Sequence, residues 1–195
     1  MAKIESRISN PRYLESIGLT LLDEAKSAEP GYIFKKLVPA MAFFCFAFES
    51  KLNGYGDAVF SGQELKKYIN STIAGKFKWL CNRIGVEDSD AFQELCETIA
   101  LMVTFRNSLV HSKIITIEEE RDLSELEKLN PRFIRPKASD SDFMEIRSIE
   151  NAEKFEKVTT TLELIWSSHC IKNQIHIGDD RASLFSRARI ISDDL

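Results

Sequence analysis

The stretch Leu37-Val38-Pro39-Ala40-Met41-Ala42-Phe43-Phe44-Cys45-Phe46-Ala47-Phe48 decides the fold. From Met41 onward it is apolar on nearly every face, the signature of a helix that touches neighbours on several sides at the centre of a bundle. Lys35, Lys36 and Glu49 bound it, so the run is too short to span a bilayer. The segment from Tyr32 to Asn53 reads as a helix, and Pro39, which lacks a backbone donor, predicts a kink or a fresh start inside it. Asn53-Gly54-Tyr55-Gly56-Asp57 then reads as a loop, because these residues tolerate left-handed backbone.

Helical spacing recurs on both sides of this segment. Upstream, Pro11 opens a helix carrying Leu14, Ile17, Leu21, Leu22 and Ala25, and Pro30-Gly31 closes it. Downstream, Leu65, Tyr68, Ile69, Ile73, Phe77, Leu80, Cys81 and Ile84 trace one face of a helical stretch from Gln63 to Ile84, with a break expected near Asn70-Ser71 or Gly75. Lys66, Lys67, Lys76, Lys78 and Arg83 make this the most basic part of the chain, and each lysine taken alone reads as part of a solvated face. Asp88-Ser89-Asp90 supplies N-cap candidates for the most regular stripe, Phe92, Leu95, Cys96, Ile99, Met102 and Val103, which continues toward Val110 and ends near Lys113.

Beyond it, the β-branched Ile114-Ile115-Thr116-Ile117 suits a short extended piece, Glu118 to Glu127 an acidic helix, and Asn130 to Asp142 a surface loop. A last long helix fits about Glu150 to Asn173. No pair of alternating runs flanks a hairpin signal. The fold class is therefore all-α: a bundle of four to five main helices, with a short extended or irregular segment after the fourth. Residues 1–178 read as one domain with its core in about 32–173, and 179–195 as a tail or docking arm.

Composition narrows the function. The 195 residues suit one core, and 44% hydrophobic with 29% charged residues excludes a disordered or fibrous chain. A formal net charge of −4 gives no global pull toward nucleic acid or an anionic membrane, so any such partner must meet a local patch, and no preference for DNA is evident. Met1 to Asn10 lacks the apolar core of a secretory signal, which predicts a cytoplasmic protein. Cys45, Cys81, Cys96 and Cys170 form no Cys-x-x-Cys pair, which argues against a zinc ribbon and for free buried thiols. Gly-rich phosphate loops, nucleophile elbows and His-Glu-x-x-His are missing. His169 and His176 flank a helix end without evident further ligands, so neither a metal nor a cofactor is expected.

The remaining histidine stands in Phe105-Arg106-Asn107-Ser108-Leu109-Val110-His111-Ser112-Lys113. Continuing the stripe from Ile99 and Val103 reaches Arg106, an arginine where the pattern asks for an apolar side chain. A guanidinium accepts burial only beside an anion, either a carboxylate of this chain, such as Glu49, or a ligand. Asn107 and His111 are four apart and share a helical face. Arg106 and His111 lie about 140° apart around an ideal helix. They converge on one ligand only if the arginine curls around the helix end or a second copy supplies the complement.

These residues resemble the arginine, four to six residues, histidine motif of the HEPN superfamily (higher eukaryotes and prokaryotes nucleotide-binding domains). Arg106 matches the arginine, Asn107 the polar follower and His111 the histidine. The resemblance implies a helical bundle that dimerises so that two motifs form a shared, metal-independent RNA-cleaving site, of the kind found in toxins and phage-defence effectors, with an antitoxin or other regulatory protein as a further partner. Members paired with nucleotidyltransferase antitoxins carry a tyrosine where this chain has Lys113, so control by adenylylation of that tyrosine is not carried over.

The chemistry expected of the motif is specific. Histidine moves a proton at neutral pH, helping a ribose 2′-hydroxyl attack the adjacent phosphate. The arginine fork meets the charge that builds on the phosphorane. Arg106 and His111 are the expected catalytic pair, Asn107 and Ser108 their supports, and Lys113 a phosphate contact or a solvated helix-end lysine. The products would be a 2′,3′-cyclic phosphate and a 5′-hydroxyl. The alternative is an HEPN-like module that binds RNA or protein without cutting.

Overall fold

The structure, a computed structural model, describes residues 10–86, 89–110, 120, 122–130 and 146–175, together with the backbone of 2–7 and 187–193. Helices α1 (Pro11–Lys26), α2 (Ile33–Val59), α3 (Gly62–Ile69), α4 (Ile73–Ile84), α5 (Asp90–Val110), α6 (Glu125–Leu129) and α7 (Ile149–Lys172) build an all-α bundle. The five longer ones are α1, α2, α4, α5 and α7. The central apolar run behaves as its composition demands: α2 packs against α1, α3, α4, α5 and α7. Met41, Phe44, Phe48, Leu52 and Tyr55 are all buried along it. Among the described residues no helix is long and apolar enough to cross a membrane.

Caps set the helix ends. Ser89 Oγ accepts the Phe92 amide at 3.3 Å before α5. Ser148 does the same for Asn151 at 3.1 Å before α7. The break expected near Asn70-Ser71 occurs there, because Thr72 caps α4 by accepting the Gly75 amide at 3.1 Å. Gly85, at φ +73°, ends α4 in a left-handed conformation that favours glycine.

Two expectations are corrected. The Asn53 to Asp57 segment is helix, not loop. Tyr55 is buried and its ring stacks on Trp166 at 4.5 Å, and the Tyr68 hydroxyl donates to the Leu52 carbonyl at 2.8 Å. A Cβ on Gly56 would stand 2.0 Å from the Tyr68 ring. The glycine serves close packing rather than a turn, and burial outweighs the roughly 1 kcal/mol that glycine costs inside a helix. Pro39 lies inside one helix, Ile33–Val59, so of the kink or fresh start expected there no fresh start occurs; the proline removes one backbone bond from a segment whose flanks, Leu37 and Ala40, are buried. Of the acidic helix expected over 118–127, the described residues place Glu125–Leu129 in a helix, and Glu120 and Asp122–Ser124 outside it. Ser124 fixes that start through a capping box with Glu127, whose Oε2 accepts the Ser124 amide at 2.9 Å.

Within the region 179–195, read as a tail or docking arm, Arg187–Asp193 forms strand β2, which pairs antiparallel with β1 (Ala2–Arg7), with a register shift at Lys3/Ile4. Strands this far apart leave no hairpin signal for a local reading to find. The extended piece expected over 114–117, all but Asn130 of the loop expected over 130–142, and His176 lie outside the described residues.

A charged knot ties α1 and α7 to the hub. Lys51, wholly buried on α2, donates to Glu15 Oε2 at 2.8 Å, Glu163 Oε2 at 2.9 Å and the Thr159 carbonyl at 3.3 Å. Arg12 meets the other Glu163 oxygen at 2.6 Å. Burial raises the pKa of Glu163, but the hydrogen bonds and charges of Lys51 and Arg12 outweigh it and hold the carboxyl below its usual range.

Candidate functional site

Arg106 lies in the C-terminal part of α5, and the buried Phe105 and Met102 anchor that part of the helix in the core. Its side chain is 36% exposed, so the guanidinium reaches solvent from a partly apolar bed. Behind it Cys45 is buried, with its Sγ 3.6 Å from the Met102 carbonyl. Burial pushes the Cys45 thiol far above its ordinary range, against the opposing pull of the Arg106 charge. The thiol is a neutral neighbour of the arginine and not a nucleophile. Burial also pushes Cys81 up to about 12.

The carboxylate facing Arg106 is that of Glu49, at the end of the apolar run of α2. Its Oε2 is 3.8 Å from Arg106 Nη2, and its Oε1 is 3.7 Å from Lys76 Nζ. Both separations exceed a hydrogen bond, so the carboxylate compensates two cations at ion-pair range without binding either tightly. Lys76 donates to Asn53 Oδ1 at 2.9 Å. Asn53 is one helical turn beyond Glu49 on α2, so one face of the hub presents both groups.

Among the described residues the donors of Arg106 are lightly used. Nη1 reaches Asn107 Oδ1 at 3.4 Å, and among the described residues the buried Nε has no hydrogen-bond partner. Asn107 is exposed and turned to the arginine. Ser108 donates its hydroxyl to the Phe105 carbonyl at 2.7 Å, one turn back, which fixes its rotamer. His111 and Lys113 lie outside the described residues, so the structure brings together Arg106 and Asn107 and leaves the histidine's place open. His169 sits in the last turn of α7, with its Nδ1 3.1 Å from the Asn173 amide nitrogen and its ring 5.6 Å from Trp166. Among the described residues, no three His, Cys, Asp or Glu side chains gather as a metal site.

Two members of this cluster escape a sequence reading. Lys76 is not on a solvated face: it is buried, while Lys66, Lys67 and Lys78 are exposed. The signal was present, since Lys76 falls three after Ile73 and four before Leu80, inside the apolar stripe of α4. Asn53 carries no such mark, because its role depends on a helix where a loop is expected. Chemically, among the described residues, Arg106 and Lys76 against Glu49 leave one excess positive charge, with the outward arginine best placed to meet an anion. No family model, curated protein or solved structure matches this chain.

Proposed function

We propose that the chain is a metal-independent endoribonuclease of the HEPN type that cuts RNA at a site composed by two copies, with Arg106 stabilising phosphate charge and His111 moving the proton. The observation that carries this reading is the state of Arg106: a part-exposed guanidinium whose Nε has no hydrogen-bond partner among the described residues and whose facing carboxylate stays at 3.8 Å. An arginine kept for structure alone would use its fork on that carboxylate. Val110, one turn beyond Arg106 on α5, is 58% exposed and gives a second copy an apolar contact beside the site. Asn107 supports the arginine, Lys113 adds a phosphate contact, and action as a toxin or defence effector in the cytoplasm, held by an antitoxin or regulatory protein, belongs to the same reading.

The test compares wild type with the Arg106→Ala and His111→Ala variants on RNA in the presence of a chelator. Wild type is expected to cleave, and each variant to fall by about 10²-fold or more. Equal cleavage by all three would remove the assignment. The Glu49 contact favours one second reading, an HEPN-like module that binds RNA or protein without cutting, and RNA binding with no cleavage by wild type would select it.

A further inference from the structure

The buried cation at this site has no part in the proposed chemistry. Lys76 has a side chain only 5% exposed, set in an apolar stripe, where an ammonium is retained only if it is paired. Its partners are Asn53 Oδ1 at 2.9 Å and Glu49 Oε1 at 3.7 Å. The second Glu49 oxygen faces Arg106 at 3.8 Å. Cation, anion and cation therefore form a series from the interior of the bundle to its surface, with side-chain exposures of 5%, 27% and 36%. The two ion-pair distances are nearly equal, so the carboxylate is shared. Its attraction to the inner ammonium opposes a closer approach to the guanidinium.

We infer that Lys76 is a positioning residue that holds Glu49 back from Arg106 and so keeps the arginine fork open for a phosphodiester, an assignment that rests on the ribonuclease reading above. Without the inner charge, Glu49 would close on Arg106 into a hydrogen-bonded pair and occupy the donors that a ligand needs. Asn53 fixes the lysine by accepting a hydrogen bond from its ammonium at Oδ1.

The experiment uses the full chain and a 2′-O-methyl RNA oligonucleotide, which binds but lacks the attacking hydroxyl. Lys76→Met is expected to weaken binding about tenfold, the effect of about one charge-assisted hydrogen bond. It should also shift the side-chain Nε–H resonance of Arg106, identified by its loss in Arg106→Lys. Adding Glu49→Gln to Lys76→Met should restore binding to within about twofold of wild type, because the amide no longer competes for the fork. A merely structural lysine would show no such rescue. Should Lys76→Met not fold, Asn53→Ala, which keeps the charge and removes its tether, is expected to shift the Arg106 resonance in the same direction, and an unmoved resonance would overturn the assignment. Wild-type affinity in Lys76→Met, or a double variant as weak as the single, would overturn it as well. A wild type that neither binds nor cleaves RNA would remove the ribonuclease reading alone. The Arg106 resonance in Lys76→Met, with and without Glu49→Gln, would still decide whether Lys76 governs the arginine.

Discussion

Glu49 Oε2 stands 3.8 Å from Arg106 Nη2, close enough to compensate charge and too far to share a proton. This separation links the hub helix to α5 and sets the character of the site. A tight bidentate pair there would make Arg106 a strut between helices. A looser one leaves a cation whose geometry a ligand can complete.

Arg106→Lys tests whether the fork or only the charge matters. Lysine keeps the charge but cannot present two parallel donors to a phosphate. The expected result is a fall in RNA cleavage of about 10²-fold, read as kcat, with thermal stability close to that of wild type. Undiminished cleavage would show that the arginine acts as a point charge.

Val110→Asp addresses the second copy. An aspartate at this exposed position would place like charges face to face across a two-fold contact through α5. Wild type is expected to run as a dimer in a sizing experiment at micromolar concentration, and the variant as a monomer with cleavage lost in parallel. A wild-type monomer that cleaves RNA would exclude a composite site.

Gly56→Ala is expected to destabilise the bundle. Its Cβ would stand 2.0 Å from Tyr68 Cε1, inside any permitted contact, so Tyr68 or α3 must move. Overpacking of this kind costs about 1–3 kcal/mol. The midpoint of thermal unfolding should drop by roughly 2–4 °C for each kcal/mol in a chain of this size. An unchanged midpoint would mean that the ring is free to swing away.

Lys51→Met removes the charge at the centre of the knot that joins α1, α2 and α7. The methionine fills much of the space, but Glu15 and Glu163 lose their shared cation, and breaking a buried pair costs about 3–5 kcal/mol. A lower urea midpoint with an unchanged slope is the expected outcome.

The same knot sets the response to acid. The folded-state pKa of Glu163 lies below its ordinary 4.5, so its contribution to stability is fully present above that value and is lost as pH falls through the lower, folded one. Unfolding followed from pH 6 to pH 2 should show stability declining below about pH 4.5, more steeply in wild type than in Lys51→Met. Parallel declines would remove Glu163 from the account.

The all-α class, the hub helix, the opening of α1 at Pro11 and the break before Thr72 were legible because each follows from local chemistry: periodic apolar residues, a missing backbone donor, a capping side chain. Arg106 could be singled out the same way, as a charge inside an apolar stripe, and Glu49 could be named as one partner for it. The fate of Asn53 to Asp57 could not be read, because a glycine that permits a turn and a glycine that admits the Tyr68 ring look alike in one dimension. Lys76 was hidden for a related reason: a lysine in a basic segment counts as solvated until its neighbours in space are known.

By itself, then, the sequence determined that the chain is a helical bundle, where most of its long helices run and which face of each is apolar, since spacing along the chain encodes these. Only the tertiary structure decided that Glu49, from α2, stands between Arg106 of α5 and Lys76 of α4, and that Lys51 is buried between two carboxylates. Charges from separate helices meet only where packing brings the helices together, and their interaction depends on distance and burial, quantities with no counterpart in residue order.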